Sequence, residues 1–470
     1  MANLRQMLVL ILSASFVSVI LLVHQLHKLA QPRIPESPGS LYNRVPPSQA
    51  SSSAIQGYCN HADNITIGAE GLPPNGYKLI SVTTLIRHGD RLPMLASPPL
   101  GPFMVPRVNC ELNVSHSSIS HLFNMFIEKT KDMPKTDWPF PLRPVGWCNP
   151  EDLTPSGVEQ QIKNGLLLRE AYGEQLILDQ KNIRVVSTTF SRTYQSSIAL
   201  MFGLLGEGID FESLHVDSTN NTMLCRSSTK QECYCPRAEV FLLEAKRDLA
   251  RLRKHDENFH KFNDSIHKTF QQAKIGSVEV EYPWSSAHDM LASRFCSSVG
   301  PYCQRGTCIT EAQIDLNWGS LNSYHQEMSK NSNARGWAKL AMYHFFQELV
   351  QRLTRHATHP ASIKDVFSVY AAHDVTIKPL FLALELPLNQ WPPYASRVMF
   401  ELYRPTVDAD TEEFLLKIIY NGQDLTRLLK FCTTRIVWSG SGCALRDFIN
   451  YFRNMLPSVG GDNFGRACRV

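Results

Sequence analysis

Three segments of this sequence share one layout, in which a run rich in β-branched residues leads into a short polar turn and then into a helical pattern. The runs are residues 78–86 (KLISVTTLI), 183–189 (IRVVSTT) and 365–372 (DVFSVYAA). Such runs are typical of buried strands, and strands that alternate with helices predict a mostly parallel α/β sheet. Because ligands of parallel sheets bind beyond the carboxyl ends of the strands, we expect the three polar turns to meet at one edge.

The three turns carry side chains suited to phosphate chemistry. The first reads RHGDR (residues 87–91), the second contains Arg192, and the third contains His373 and Asp374. A neutral imidazole can attack phosphorus, guanidinium groups bind phosphate oxygens through their fork geometry, and a carboxylic acid can protonate the leaving oxygen. Ser191, directly before Arg192, is a plausible N-cap for the helix that follows. Together the turns predict hydrolysis of a phosphate ester.

Each turn suggests a role in that reaction. His88 is the candidate nucleophile, and its arginine neighbours should lower its pKa by like-charge repulsion and keep it neutral. Asp374 is the candidate proton donor, which we expect to be partly buried and to stay protonated long enough to act. Asp90 has no required part in this scheme. Positive charge around the phosphoryl group would come from Arg87, Arg91, Arg192 and His373.

Ordinary structural explanations compete for some of these residues. An isolated Arg192 would most often be a surface or capping residue, and a His-Asp pair after a strand often caps the next helix. The R-H-G-x-R motif is far more restrictive than either. Its combination with polar turns after two further strands therefore favours a functional site.

The sequence resembles the histidine acid phosphatases, whose signature is a strand followed by R-H-G-x-R and, much later, a His-Asp pair. The resemblance spans roughly residues 77–470. It implies an α/β core with a mainly helical cap, and a reaction that uses no metal or other cofactor. It also implies that His88 forms a phosphohistidine and that Asp374 donates the proton. The residues that the resemblance assigns to phosphate binding are Arg87, Arg91, Arg192 and His373.

The N-terminus predicts attachment to a membrane. Residues 7–23 are uncharged and mostly apolar, and this length just suffices to span a bilayer. We expect an uncleaved signal anchor after a short cytoplasmic tail (residues 1–6), with a cleaved signal peptide as the alternative. Residues 24–56, rich in Pro and Ser, predict an extended stem. The rest, residues 57–470, would form the phosphatase domain.

Within that domain, residues from about 206 to 335 differ in character and predict a cap insertion. This part holds two cysteine clusters and a charged helical stretch over residues 238–273. A basic segment from Lys246 to His255 can face an anionic glycan or can simply form a solvated helix face. We therefore place substrate selection in the cap.

Cysteines and glycosylation sequons indicate the lumen of the secretory pathway. The 12 cysteines suit an oxidising compartment, and neither cluster has the paired spacing of a structural zinc site, so we expect disulfides whose pairing stays open. With the anchor, this predicts a single-pass type II membrane protein with a luminal catalytic domain. The sequons begin at Asn64, Asn113, Asn220 and Asn263.

Composition and charge argue against other classes of protein. Hydrophobic residues make up 43% of the chain, which excludes global disorder, and a formal charge of +4 spread over 470 residues gives no case for nucleic acid as a partner. The expected substrate is a phosphorylated glycan or a small phosphomonoester, including a lysophospholipid. Two rivals are a phosphotransferase of the phosphoglycerate mutase type and a glycan-binding pseudophosphatase. The Asp of the His-Asp pair disfavours the first, and the full set of catalytic residue types disfavours the second.

Overall fold

The chain alternates strands and helices largely as predicted. The computed structural model describes residues 54–94, 108–112, 117–131, 138–219, 221–225, 232–272, 284–297, 301, 303–304, 307–359, 364–406, 412–432 and 442–470. The strands are β1 (Tyr77–Arg87), β2 (Ile183–Thr188), β3 (Val216–Thr219), β4 (Cys303–Gln304), β5 (Thr307–Cys308), β6 (Phe367–Ala372), β7 (Arg397–Pro405), β8 (Leu415–Tyr420), β9 (Gln423–Asp424) and β10 (Cys443–Ala444). The helices are α1 (Ala54–Cys59), α2 (Ser120–Thr130), α3 (Pro155–Tyr172), α4 (Ser191–Leu205), α5 (Pro236–Arg253), α6 (Glu257–Gln272), α7 (Trp284–Cys296), α8 (Glu311–Lys330), α9 (Ser332–Ala341), α10 (Tyr343–Thr358), α11 (Asp374–Ala383), α12 (Leu445–Arg453) and α13 (Phe464–Ala467).

The main sheet is mixed. Its strand order is β10-β8-β7-β1-β6-β2-β3, with β9 paired to β8. β1, β6, β2 and β3 are mutually parallel, whereas β7, β8 and β10 run antiparallel to their neighbours. The parallel half contains all three predicted strands, and helices cover the sheet, which confirms the α/β fold class. The prediction of a mostly parallel sheet needs correction, because β7, β8, β9 and β10 pair antiparallel.

Strand register explains why the polar turns meet. In the β1–β6 pair Arg87 lies opposite Ala372, and in the β2–β6 pair Ser187 lies opposite Ala371. The three strands therefore end at the same level, and the residues that follow them emerge side by side. This is the edge at which ligands of parallel sheets bind.

β1 is buried on both faces from Ser81 onward, which accounts for its mainly apolar and β-branched side chains. Val82 and Ile86 pack into a cluster with α2, α3 and α4, whereas Leu85 points to the other face, where it joins a cluster with α9, α10, α11 and α12. Opposite directions for adjacent residues follow from the two-residue period of a strand. The site at the end of β1 is thus anchored in the core.

Local boundaries differ from the predictions in two places. The helix after β2 starts at Ser191, and its N-cap is Phe190, so the prediction of Ser191 as N-cap is wrong. The charged stretch predicted as one helix is divided into α5 and α6, which are separated by residues 254–256.

The cap is built from α5, α6, α7 and α8 together with the β4–β5 hairpin. Its apolar cluster contains Trp318 of α8, Phe262 of α6 and Met290 of α7, and also Ile55 of α1.

Two predicted boundaries need correction. β3 belongs to the main sheet although it falls inside the predicted insertion of about 206–335. Helix α1 starts within the predicted stem, because Ile55 is an apolar side chain that becomes fully buried.

Six disulfides pair all 12 cysteines, which confirms disulfides over zinc ligands for the two clusters. Neither cluster pairs only within itself, since Cys235 bonds to Cys468 and Cys296 bonds to Cys59. Proximity in the sequence therefore gives the wrong pairing for these two. The six bonds are Cys59–Cys296, Cys110–Cys148, Cys225–Cys233, Cys235–Cys468, Cys303–Cys308 and Cys432–Cys443.

Several predicted features lie outside the described residues. These are the cytoplasmic tail, the membrane anchor of residues 7–23, nearly all of the stem, and the sequons at Asn113 and Asn220. Within the described ranges no helix combines the length and the apolar character needed to cross a bilayer. Asn64 is exposed, and Asn263 belongs to α6.

Candidate active site

His88 follows β1 directly and is only 1% exposed. Its Nδ1 lies 2.8 Å from the carbonyl oxygen of Gly89, and because a carbonyl only accepts, Nδ1 carries the proton. The lone pair of the neutral ring is then on Nε2, which has no hydrogen-bond partner within the described part of the chain. His88 therefore presents a free nucleophilic nitrogen.

The surroundings keep this imidazole neutral. Burial, followed by the positive charges of Arg192, Arg87 and Arg91, holds the pKa of His88 well below its usual 6.5. A histidine is neutral above its pKa, so His88 remains unprotonated in mildly acidic solution. This agrees with the effect expected from its arginine neighbours.

Gly89 allows the catalytic turn to pack against α3. A Cβ at this position would lie 2.2 Å from the carbonyl oxygen of Gly157, so a larger residue would push the turn away from the helix. Asp90 adds hydrogen bonds to the same helix end, as its backbone N–H donates to Gln160 and its Oδ2 accepts from Thr154, 2.7 Å in both cases. Burial raises the pKa of Asp90 to about 6. Asp90 thus holds the turn in place.

Arg87 is completely buried and held on several sides. Its Nη2 lies 2.7 Å from Oδ2 of Asp374 and donates to the hydroxyl of Tyr58 at 2.8 Å. Its Nη1 donates to the carbonyl oxygen of Pro392, and the guanidinium lies 4.2 Å from the ring centroid of Tyr394. These contacts fix a positive charge beside His88.

Arg91 is held by a residue of the cap. Its Nη2 and Nη1 donate to the two carboxylate oxygens of Asp289 on α7, at 2.7 and 3.2 Å. Asp289 also accepts a hydrogen bond from the backbone N–H of Met94. A bidentate contact of this kind fixes the plane of the guanidinium.

Arg192 and His373 complete the ring of side chains around His88. Arg192, in the first turn of α4, pairs with Glu151 at 2.8 Å and lies 4.5 Å from the ring centroid of Phe190. The ring centroid of His373 lies 5.5 Å from that of His88, and its Nε2 shares a hydrogen bond with the Thr188 hydroxyl.

The structure corrects the charge expected for His373. Burial and the positive charge of Arg192 lower the pKa of His373 to about 3. His373 is therefore neutral in the free protein, and it can offer a hydrogen bond to a phosphoryl oxygen but no full positive charge.

Asp374 begins α11, and its Oδ2 accepts hydrogen bonds from Arg87 and from Trp391, whose Nε1 lies 2.8 Å away. Burial by itself would raise the pKa of Asp374, but the charges of Arg87 and Arg91 outweigh burial and lower it to about 2. The expectation that Asp374 stays protonated is therefore wrong for the free protein. Its carboxyl group is ionised there because two buried cations and an indole N–H stabilise the anion.

The structure places all six predicted site residues around one point at the sheet edge. It adds residues that sequence reasoning missed, because they come from segments without a motif. Tyr58 lies on α1, Glu151 precedes α3, Asp289 lies on α7, and Trp391 lies before β7. Only the last had a local signal, the aromatic and proline-rich segment WPPY at residues 391–394.

One disulfide connects the supports of two arginines. Tyr58, which contacts Arg87, is adjacent to Cys59, and Cys59 is bonded to Cys296 on α7. The same helix carries Asp289, which holds Arg91. The cap therefore contributes to the geometry of the arginine cluster as well as covering it.

Asp289 is a positioning residue whose effect can be measured. In the Asp289→Asn variant, Arg91 loses the charged part of its bidentate contact, so we expect KM and the inhibition constant of inorganic phosphate to rise about tenfold, with a smaller change in kcat. Steady-state kinetics with inorganic phosphate as competitive inhibitor measures all three constants.

Asp365→Asn is the matched control. Asp365 pairs with the buried Arg352 at 2.5 Å, but it precedes β6 and so lies at the sheet edge opposite the site. This variant should lower the melting temperature and leave KM and phosphate inhibition as in the wild type. Unchanged KM and inhibition constant in Asp289→Asn would contradict the positioning role.

Comparison with known proteins identifies a family and relatives of this chain. Residues 78–421 match the family described as the histidine phosphatase superfamily (branch 2). The chain is 28% identical to 2-phosphoxylose phosphatase 1 of Mus musculus, over 87% of this chain and 85% of that protein. It is 27% identical to 2-phosphoxylose phosphatase 1 of Danio rerio, over 100% of this chain and 99% of that protein.

The fold is also found among solved structures. The phytase from Citrobacter braakii superimposes with a TM-score of 0.51 at 16% sequence identity, over 81% of this chain and 98% of the phytase. At this level of identity the likeness concerns the fold alone.

Proposed function

Because this chain belongs to branch 2 of the histidine phosphatase superfamily and is a phosphoric monoester hydrolase, we propose that His88 is its nucleophile. Nε2 of His88 attacks phosphorus, the bond from phosphorus to the ester oxygen breaks, and the leaving oxygen takes a proton from Asp374. Water then attacks the phosphohistidine, Asp374 accepts a proton from it, and inorganic phosphate leaves. The observation that carries this proposal is the neutral, unpartnered Nε2 among three guanidinium groups.

The arginines supply the charge stabilisation that phosphoryl transfer requires. The transferring group carries negative charge on its equatorial oxygens, and fixed cations stabilise that charge best in a buried site. Arg87, Arg91 and Arg192 are each at most 7% exposed and each held by a carboxylate. We assign phosphate binding to these three, with His373 as a further hydrogen-bonding ligand.

The proton of Asp374 must arrive with the substrate, because the carboxyl group is ionised in the free protein. A phosphate monoester has a second pKa of about 6, so in acidic solution it binds as a monoanion that still carries one proton. The bound phosphoryl group also places negative charge beside Asp374 and neutralises the arginines. Both effects raise the pKa of Asp374 and favour transfer of that proton to it.

For the substrate, we propose the 2-phosphate of xylose in the glycosaminoglycan linkage region of proteoglycans. The support is similarity: proteins named 2-phosphoxylose phosphatase 1 align with the chain over 85% or more of their length in mouse and zebrafish. An acid phosphatase for lysophospholipids or for general phosphomonoesters is the alternative that the experiment must separate.

The test is a competition between substrate classes. The purified domain is offered a linkage-region oligosaccharide with xylose 2-phosphate, free sugar phosphates, a lysophospholipid and a phosphotyrosine peptide. We expect kcat/KM to be highest for the linkage oligosaccharide by about 10⁴-fold, the scale on which a site that hydrogen-bonds its substrate rejects analogues without those groups. Equal values for all substrates would reject the xylose assignment and leave phosphate monoester hydrolysis intact.

We also propose that the protein is a single-pass type II protein of the Golgi membrane with a luminal catalytic domain that meets the glycosaminoglycan-synthesising transferases. The apolar segment of residues 7–23, six disulfides and the exposed sequon at Asn64 support luminal placement. Endoglycosidase treatment should increase the gel mobility of the expressed protein. No change in mobility would remove the support from the sequons.

A further inference from the structure

A lysine lies one helical turn beyond Asp374. Asp374 and Lys378 are four residues apart on α11, so their side chains project from the same face of the helix. The Lys378 Nζ lies 5.4 Å from the ring centroid of Trp391 and 5.5 Å from that of Tyr324. An ammonium group is thus held between two aromatic rings next to the proposed proton donor.

Lys378 has no anionic partner of its own in the described part of the chain, where its amine forms neither a hydrogen bond nor an ion pair. Burial lowers the pKa of Lys378 to about 7. The negative charge of Asp374 acts to raise this pKa, and the positive charge of Lys246 lowers it further. An amine has three donors, and a half-buried one without protein acceptors is suited to donate to a ligand.

The aromatic walls around this lysine are fixed by the protein. The indole N–H of Trp391 donates to Asp374, its backbone N–H donates to Asn322, and its ring packs against His325 at 4.5 Å between centroids. Tyr324 and His325 belong to α8 of the cap. The side chains beside Asp374 are therefore held in place by contacts between Trp391 and the cap helix α8.

The in-line geometry of phosphoryl transfer determines which part of the substrate lies beside Asp374. The leaving oxygen must approach Asp374 to be protonated, and it departs in line with and opposite to the attacking His88. The group attached to that oxygen therefore lies on the Asp374 side of the phosphoryl group. Lys378, Trp391 and Tyr324 are on that side.

We propose that Lys378, Tyr324 and Trp391 form the leaving-group subsite, in which Lys378 donates hydrogen bonds to hydroxyl groups of the sugar that carries the phosphate. This rests on the proposed function, since Asp374 must act on the leaving oxygen. It deepens that function by assigning selection of a polyhydroxylated leaving group to named residues. Methyl phosphate, whose leaving group has no further hydroxyl, lacks the contact.

The test compares kcat/KM for sugar phosphates, including the xylose 2-phosphate oligosaccharide, with kcat/KM for methyl phosphate. In Lys378→Met, which keeps the length of the side chain between the two rings, the ratio of these values should fall about tenfold, mainly through KM of the sugar phosphate. Lys378→Arg should restore part of the ratio because it restores donors. The ratio cancels any effect on Asp374 that is common to both substrates.

Lys339→Met is the matched control. Lys339 also lies against an aromatic ring, that of Tyr451, but it pairs with Glu385 beyond the far end of α11. Its substitution should leave the ratio unchanged. If Lys378→Met is too unstable to assay, Tyr324→Leu replaces it as the test, and this variant should lower the ratio.

The outcomes separate the two proposals. A fall in the ratio for all sugar phosphates with no preference for the xylose 2-phosphate oligosaccharide supports the subsite and rejects the xylose substrate. An unchanged ratio in Lys378→Met, or equal losses on sugar and methyl phosphates, overturns the subsite while the nucleophile and proton donor stand.

Discussion

Substitution of His88 by alanine is expected to reduce turnover of every phosphate monoester by about 10⁴-fold or more, because covalent catalysis loses its nucleophile. His373, with its ring centroid 5.5 Å away, is not expected to replace it, because its Nε2 is engaged with Thr188. Rapid quenching of the wild type during turnover of a labelled substrate should trap phosphate on the protein, and peptide mapping should place it on His88.

Two further measurements make this result specific. His121→Ala, at an exposed position on α2, should retain wild-type turnover and labelling. The His88→Ala protein should keep the melting temperature of the wild type within a few degrees, because a smaller side chain leaves the backbone hydrogen bonds of the turn in place. Stoichiometric labelling of His88→Ala would show that another residue is the nucleophile.

The second large effect concerns Asp374. Asparagine has no acidic proton, so Asp374→Asn should slow hydrolysis of an alkyl phosphate by about 10²–10⁴-fold, the usual contribution of general acid catalysis. The loss should be much smaller for p-nitrophenyl phosphate, because a nitrophenolate leaves without protonation. Plotting log kcat/KM against the pKa of the leaving group should give a steeper dependence in the variant than in the wild type.

If Asp374 acted only through its negative charge beside Arg87, the pattern of losses among substrates would differ. Asp374→Asn also removes the partner of Arg87, and the freed cation would alter binding of all substrates equally. Equal losses on alkyl and aryl phosphates would therefore reject Asp374 as the acid and leave it as a partner of Arg87. The Asp365→Asn control should show the same dependence of kcat/KM on the leaving group as the wild type.

The catalytic edge of the fold was accessible from the sequence because its signals are local. A strand that is buried on both faces carries mainly apolar and β-branched side chains, and the residues after it must be polar if they form a site. The three β-branched runs therefore predicted β1, β2 and β6, and the turns after them predicted where His88, Arg192 and Asp374 lie. The family also followed, since R-H-G-x-R and a distant His-Asp pair are specific.

Protonation states needed the tertiary structure. The charge of Asp374 depends on how burial compares with the cations and donors that surround it, and Trp391 and Arg91 reach it from distant parts of the chain. The sequence cannot supply such distances, and the prediction of a protonated acid was accordingly wrong. His373 was misjudged for the same reason, because burial removed its charge.

By itself the sequence determined the α/β class, the sheet edge that carries the candidate site and the residues that meet there, since each depends on a local pattern of strand and turn. Tertiary structure alone decided which cysteines pair, which cap residue holds Arg91, and which side chains lie beside Asp374. Those contacts join positions such as Cys59 and Cys296, which are 237 residues apart. Their partners are set by how the cap packs on the sheet, and no local pattern encodes that packing.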